Sequence, residues 1–236
     1  MKNIFILILV SIPLLFTGCL RTYYPLHNGI STTPMTFETE SNYNKIGKYI
    51  GAEVTTGKGY HENETVNIAR VIFSTAHTTN HTNINLEAFG FFGNYKVSGV
   101  SPKFNGNKAA FGFGGSFKLT FNFKVDKTKL GIGLNLGLQT EFGEYSDFRK
   151  NASDAGLISD TETVNLRFSL FPFLAFPISN TSTLSLQVTV GYPEGISPSI
   201  MLSGSSISGW FSFVPIFEQS SDLITNKFVF GMKYRL

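Results

Sequence analysis

Residues 109–125 have the sequence AAFGFGGSFKLTFNFKV. From Phe111 onward every odd position is Phe, Leu, Val or Gly, whereas every even position is Gly, Ser, Lys, Thr or Asn. Successive side chains of a β-strand point to opposite faces, so this stretch predicts a long strand with one apolar, aromatic-rich face. An average strand has only about five or six residues. The fold therefore depends on what covers so long an apolar face.

The following segment, residues 129–142, alternates in the same way but with its even positions apolar. The turn Asp126–Lys129 has an even number of residues. The apolar positions therefore change from odd before the turn to even after it, and both apolar faces stay on the same side of the hairpin. The pattern recurs strongly at 164–176, 184–192 and 228–236, and more weakly at 45–56, 66–77, 83–97, 196–204 and 209–217. We expect about ten strands, within a range of roughly eight to twelve.

The segments between these strands alternate in length along the chain. Short connections are expected at 78–82, 126–129, 177–183 and 203–208, and longer ones at 57–65, 99–107, 143–163 and 218–225. Outer-membrane barrels have short periplasmic turns and long outer loops. The sequence thus predicts an all-β, antiparallel, up-and-down transmembrane barrel.

Composition favours the same class. Charged residues make up 15% of the chain, against about 25% in ordinary soluble domains, and Phe occurs 24 times. The formal net charge is +3, and the basic residues are scattered rather than clustered. Nucleic-acid binding therefore has no support.

The amino terminus has the features of a secretory signal. A short basic start, Met1–Asn3, precedes an apolar run at 4–16 and then the chain's single cysteine, Cys19. The run is too short to span a bilayer as a helix. The stretch LFTGC at 15–19 resembles the lipobox of bacterial lipoproteins, which implies that Cys19 is lipidated; Phe16 departs from the Leu more usual there. The alternative is a plain signal peptide with an incidental cysteine.

Three regions follow from this interpretation. Residues 1–18 are predicted to be the signal peptide, and 45–236 the barrel domain. The Thr-rich range 19–44 contains Pro25 and Pro34 and lacks periodicity, so we expect a lipid-anchored flexible tether.

The carboxyl terminus, FVFGMKYRL at 228–236, resembles the assembly signal on the last strand of bacterial outer-membrane barrels. Gly231, Tyr234 and Leu236 carry the resemblance, although Phe is commoner than Leu at the last place. It implies an outer-membrane location, with outer-membrane lipids and the barrel assembly machinery as partners.

In such a barrel Lys118, Glu141 and Arg167 would face the lumen. Unpaired charges are costly in a confined interior, so their opposite signs predict pairing. Ten strands lie near the size at which side chains fill the lumen, which argues against a wide pore and leaves a narrow conduit open.

The first hypothesis is a non-enzymatic outer-membrane barrel lipoprotein with a structural, surface-interaction or envelope-assembly role. The second is a lipid-anchored soluble, lipocalin-like barrel that binds a small apolar ligand, with its aromatic faces turned inward. The third is a barrel enzyme acting on lipids or peptides. Extraction separates the first two, because only the first predicts that a Cys19→Ser variant still needs detergent.

No nucleophile elbow, phosphate-binding loop or zinc-protease motif occurs. His61 beside Glu62 could act as a base near the mouth of the barrel, and Ser116 as a lumen nucleophile, but exposed loop residues and strand curvature explain them better. His77 and His81 flank a predicted turn and lack an evident third ligand. We therefore predict no catalytic residue, metal site or cofactor.

Overall fold

The computed structural model describes residues 21–26, 33–38, 44–61, 63–160, 164–192, 195–217 and 224–236. Among these residues no helix has both the length and the apolar composition required to cross a membrane. The elements of the described ranges are β1 (Arg21–Tyr23), β2 (Ile46–Lys58), β3 (Thr65–Thr78), β4 (Thr82–Val97), β5 (Gly106–Val125), β6 (Thr128–Phe142), α1 (Glu144–Asp154), β7 (Ile158–Asp160), β8 (Val164–Ser179), β9 (Ser182–Tyr192), β10 (Gly195–Gly204), β11 (Ile207–Phe217) and β12 (Ile224–Arg235).

Ten of the strands, β2–β6 and β8–β12, form a closed barrel in which consecutive barrel strands pair antiparallel. The last strand closes the barrel against the first, with Phe230 of β12 opposite Val54 of β2. The predicted all-β, up-and-down barrel of about ten strands is confirmed. The strand positions also agree with the alternation: the strand expected at 66–77, for example, spans Thr65–Thr78.

The two faces of the strands alternate as the hairpin between β5 and β6 predicts. Phe121 of β5 is 55% exposed and Ile132 of β6 is 48% exposed on the outside. Lys118 and Asn135 are each 1% exposed. The aromatic faces therefore point outward, and the inward-facing arrangement of the lipocalin-like hypothesis is wrong.

The two ends of the barrel differ. One, which we name the long-loop end, carries the connections 59–64, 98–105 and 143–163. The other, the short-turn end, carries the turns 79–81, 126–127, 180–181 and 205–206. The barrel also starts and finishes at the short-turn end, where Asn44 N donates to Thr78 O and Leu236 N donates to Lys48 O, both at 2.9 Å.

Helix α1 and strand β7 occupy range 143–163, for which the sequence predicts only a loop. The helix buries Tyr145, Phe148, Arg149 and Ala152, a stripe with helical spacing that is too short to stand out beside the long strands. It ends in a Schellman motif, in which Leu157 N donates to Ala152 O at 3.0 Å and the glycine at 156 has a positive φ of 68°.

Two stretches of the predicted tether, 21–26 and 33–38, belong to the described residues. Strand β1 pairs in parallel with β7 at the long-loop end. Residues 33–38 are all buried. Residues 21–26 thus lie at the long-loop mouth of the barrel and residues 33–38 in its lumen; we name these two stretches the inserted segment.

Candidate functional site

Outside, the barrel strands carry a clean apolar band. Among the described residues, the charged side chains at outward strand positions are Lys48 and Lys58, near the two ends of β2, and Lys96, near the end of β4. The ten steps from Lys48 to Lys58 rise about 33 Å along the strand, or about 25 Å across the barrel at a tilt of roughly 40°. Exposed apolar side chains of the band include Val54, Val71, Phe73, Leu86, Phe92, Phe113, Phe121, Ile132, Leu138, Phe168, Leu170, Val188, Ile200 and Phe230.

An open apolar groove of about 780 Å³ indents this outer wall. It lies over Gly115 and Gly137, and Phe113, Leu138 and Leu166 form its sides. Because those side chains point outward, the groove faces the surroundings of the barrel and is not an enclosed ligand pocket in the lumen.

Inside, the barrel is polar. The three candidate lumen residues, Lys118, Glu141 and Arg167, are 1%, 1% and 5% exposed. Further buried charged side chains on barrel strands are Glu53, Arg70, Glu87, Lys129, Lys227 and Lys233. Buried charges need partners, so the arrangement of these groups decides what the lumen can hold.

Part of that arrangement contacts the backbone of the inserted segment. Buried peptide groups must be paired, and beyond the pairing of β1 with β7 the inserted segment has no partner among the described strands to pair them. Lumen and loop side chains supply the partners: Leu26 N donates to Glu141 Oε2 (2.5 Å), Lys118 Nζ to Thr33 O (2.9 Å), Met35 N to Gln187 Oε1 (3.1 Å), Asn83 Nδ2 to Thr36 O (2.6 Å), Tyr60 Oη to Pro25 O (3.2 Å) and Tyr145 Oη to Tyr24 O (3.0 Å).

In the middle of the lumen, two ion pairs meet at Thr33. Lys118 Nζ lies 3.0 Å from Glu87 Oε2, and Arg70 Nη2 lies 2.8 Å from Glu53 Oε2. Arg70 Nη2 also donates to Thr33 Oγ1 at 2.6 Å, and that hydroxyl donates to Glu87 Oε1 at 3.0 Å. All five side chains are buried. The inserted segment therefore completes the polar network of the barrel wall.

At the long-loop end, Glu64 gathers donors around the start of the segment. Tyr23 Oη donates to Glu64 Oε1 at 2.5 Å, Ser98 N donates to the same oxygen at 3.0 Å, and Tyr95 Oη donates to Oε2. Burial, with the neighbouring Glu64 carboxylate, raises the pKa of Tyr23 well above its ordinary value. The phenol stays protonated and remains a donor.

The short-turn end holds the end of the segment by apolar and ionic contacts. Phe37 and Met35 pack with the aromatic and small residues of β8, and the rings of Phe37 and Phe173 are 4.6 Å apart. Glu38 accepts from Tyr49 Oη and pairs with Arg235, whose Nη1 lies 2.5 Å from Glu38 Oε2. The segment is thus held at both ends and in the middle of the barrel.

Two of the three predicted lumen residues pair with charged side chains that the sequence does not single out. Lys118 pairs with Glu87, whereas Glu141 pairs with Arg149 of α1, whose Nη2 lies 3.2 Å from Glu141 Oε1. These partners come from a helix and a strand whose positions a linear pattern does not give. Arg167 lies beside a small cavity that Glu87 also lines.

Two cavities beside the inserted segment are small. One, of about 10 Å³, is lined by residues that include Thr33, Arg70 and Arg167. The other, of about 20 Å³, is lined by residues that include Phe37 and Lys129. A cavity needs roughly 10–15 Å³ to hold one water, so each has room for about one.

The residues considered for catalysis do not come together. His61 lies at the long-loop end, where its Nε2 is 3.2 Å from Thr22 O. Ser116 lies near the middle of β5, opposite Gly137. Glu62 lies outside the described residues, so its proposed role beside His61 stays untested.

The two histidines considered as metal ligands lie at the short-turn end. His77 is half-buried near the end of β3, and His81 is exposed in the following turn. Over the described ranges, no group of three or more His, Cys, Asp or Glu side chains could hold a metal ion. Cys19 lies outside the described residues, and its lipidation stays a prediction.

No family model matches the chain, and no curated protein matches it. Among solved structures, it is similar to an outer membrane channel from Pseudomonas putida F1, with a TM-score of 0.43 and 6% identity over 87% of this chain and 100% of that one. It is also similar to Neisserial surface protein A, with a TM-score of 0.36 and 8% identity over 81% and 97% of the two chains.

A third similar structure is the outer membrane protein OprG from Pseudomonas aeruginosa, with a TM-score of 0.36 and 9% identity over 83% of this chain and 98% of that one. Likeness at these scores assigns no function.

Proposed function

We propose that this chain is an outer-membrane β-barrel lipoprotein whose lumen is occupied by its own inserted segment. Its role is structural, surface-interacting or in envelope assembly, and it is not an enzyme. The observation that carries the proposal is the charge-free apolar band around a closed barrel that has a polar, filled interior.

The apolar band supports a location in a membrane, because contact of so much apolar surface with water is unfavourable. Soluble monomers rarely expose continuous apolar patches larger than a few hundred Å². Here exposed Val, Leu, Ile and Phe side chains occur on strand after strand around the barrel. Its height of about 25 Å fits the outward-facing apolar band of outer-membrane barrels.

Closure of the barrel supports the same conclusion. The hydrocarbon core offers no water to pair with free backbone groups, so strands cross it only as a cylinder without edges. Pairing of β12 with β2 removes the last edge. The predicted assembly signal at 228–236 lies on that closing strand, and recognition by the barrel assembly machinery is part of this proposal.

The position of residues 33–38 in the lumen favours a closed barrel over an open pore. The inserted segment lies in the lumen, and the cavities beside residues 33–38 hold about one water each. Purified wild-type protein in planar bilayers is therefore expected to show no stable conductance. A variant that lacks residues 21–43 is expected to conduct, provided that it still folds.

The membrane location is tested with a Cys19→Ser variant. We expect it to require detergent for extraction, because the barrel itself, without the lipid, keeps the protein in the membrane. We also expect it to migrate faster on unheated gels than after boiling. A soluble periplasmic product would overturn the proposal. Lipidation is tested separately: wild-type protein should incorporate labelled palmitate, and Cys19→Ser should not.

The non-enzymatic role has its own test against lipid and peptide substrates. If a preparation hydrolyses either class, His61→Ala and Ser116→Ala variants show whether these side chains are responsible. Loss of that activity in either variant, with an unchanged barrel on unheated gels, would replace the proposed role by the barrel-enzyme hypothesis.

A further inference from the structure

The position of the inserted segment fixes where the chain enters the barrel. Arg21 Nη1 donates to Ser98 O at 2.6 Å, next to the long loop 98–105. Residues Arg21–Tyr23 pair with Ile158–Asp160, beyond the end of β6 and α1. The described chain therefore starts at the long-loop end.

The same segment leaves the lumen at the opposite end. Thr33 lies among Arg70, Glu87 and Lys118 in the middle of the barrel. Glu38 lies at the short-turn end, where its N donates to Thr78 Oγ1 at 3.3 Å. Strand β2 then begins beside the turn 79–81, where Asn44 N donates to Thr78 O. The described residues 21–26 and 33–38 thus follow one another from the long-loop end to the short-turn end, before the first barrel strand.

We infer that the inserted segment presents the mature amino terminus on the outer surface of the cell. This inference rests on the proposed function, which places the long loops outside and the short turns in the periplasm. Cys19 precedes Arg21 by two residues, which span at most about 7 Å when fully extended. Its lipid belongs to the outer leaflet beside the long loops.

The contacts along the segment argue against a lipid on the periplasmic side. To reach that side, the start of the chain would have to leave its bonds with Ser98, Glu64 and Glu141. Leu26, Thr33 and Met35 would also lose the hydrogen-bond partners of their buried backbone groups.

Epitope insertion in intact cells tests the inference. One variant carries a short epitope between Leu20 and Arg21, a second carries it after Lys103 in a long loop, and a third carries it between Asp126 and Lys127 in a short turn. We expect antibody to label the first two on intact cells, and the third only after the outer membrane is permeabilised. Labelling of the first variant only after permeabilisation, with the second labelled on intact cells, would overturn the inference.

The outcomes separate this inference from the proposed function. If the Lys103 insertion is also hidden on intact cells and the protein extracts without detergent, the outer-membrane barrel itself is wrong. A second measurement avoids the insertion: an Arg21→Cys variant is treated with a membrane-impermeant maleimide, with Asp126→Cys as the matched control. Labelling of Asp126→Cys but not Arg21→Cys on intact cells would reverse the assigned orientation.

Discussion

Glu53 and Val54 are neighbours on β2, yet different requirements determine which side chain fits at each position. Val54 is 52% exposed on the outer face, where any apolar side chain is adequate because lipid supplies no specific partner. Glu53 is 2% exposed in the lumen, where it accepts from Arg70 at 2.8 Å and from Trp210 Nε1 at 3.1 Å. The outer face is thus defined by residue class, whereas the inner face is defined by particular partners.

The largest effect is expected from breaking an inner pair. Glu87→Gln removes the carboxylate 3.0 Å from Lys118 and leaves a buried ammonium. We expect unfolding to become easier by about 3–5 kcal/mol, measured from urea unfolding midpoints in micelles.

The double variant Glu87→Gln/Lys118→Met is the control for that prediction. It removes both charges, so it should recover a large part of the loss. Equal losses in the single and double variants would mean that the pair is not the reason for the cost.

A smaller effect is expected from a charge placed on the outer face. Val54→Lys puts an ammonium near the middle of the band, where it should cost about 2–4 kcal/mol in liposomes. The matched control is Thr65→Lys, because Thr65 lies opposite Lys58 at the edge of the band. Its cost should be about 0–1 kcal/mol, and equal costs at the two positions would contradict the placement of the band.

A third variant tests whether the inserted segment belongs to the inner network. Thr33→Val keeps the shape of the side chain but removes the hydroxyl between Arg70 and Glu87. We expect a loss of about 1–3 kcal/mol in the same urea experiment. The control is Thr56→Val, which removes a hydroxyl on the exposed outer face, where it donates to Asn67 Oδ1 at 2.7 Å; its change should stay within about 0.5 kcal/mol.

The same contrast explains how much the sequence predicts. The alternation of Phe121 and Asn122 needs only a strand with one apolar face, so strand order, parity and closure follow from the pattern. The partners of Lys118 and Glu141 lie 31 residues and 8 residues away, on elements whose approach depends on the whole barrel. Lumen burial could be predicted, but these two partners, Glu87 and Arg149, could not.

The inserted segment is missed for a related reason. A strand that is buried on one face alternates apolar and polar residues. A chain that contacts polar and apolar lumen groups on all sides does not need this alternation. Met35 and Phe37 pack on Phe171 and Phe173, while Thr33 and Glu38 join ion pairs. Such a mixture in the linear sequence resembles a linker.

The smallest effect at neutral pH is expected at the long-loop end. Tyr23→Phe removes one of the three donors to Glu64, so the loss should be only about 0.5–1.5 kcal/mol. At alkaline pH the contribution of Tyr23 to stability is expected to change. A tyrosine in the unfolded chain loses its proton at about pH 10. The pKa of buried Tyr23 is raised in the folded chain, so its phenol keeps the proton at that pH.

The unfolded state then binds fewer protons than the folded state, so the stabilisation by Tyr23 is full below about pH 10 and declines above it. Wild-type stability should therefore fall more steeply than that of Tyr23→Phe, with a difference in slope approaching about 1.4 kcal/mol per pH unit. Urea midpoints of both proteins at about pH 8 and about pH 11 measure the difference. Equal slopes would mean that Tyr23 ionises freely in the folded barrel, and that the start of the inserted segment is not enclosed there.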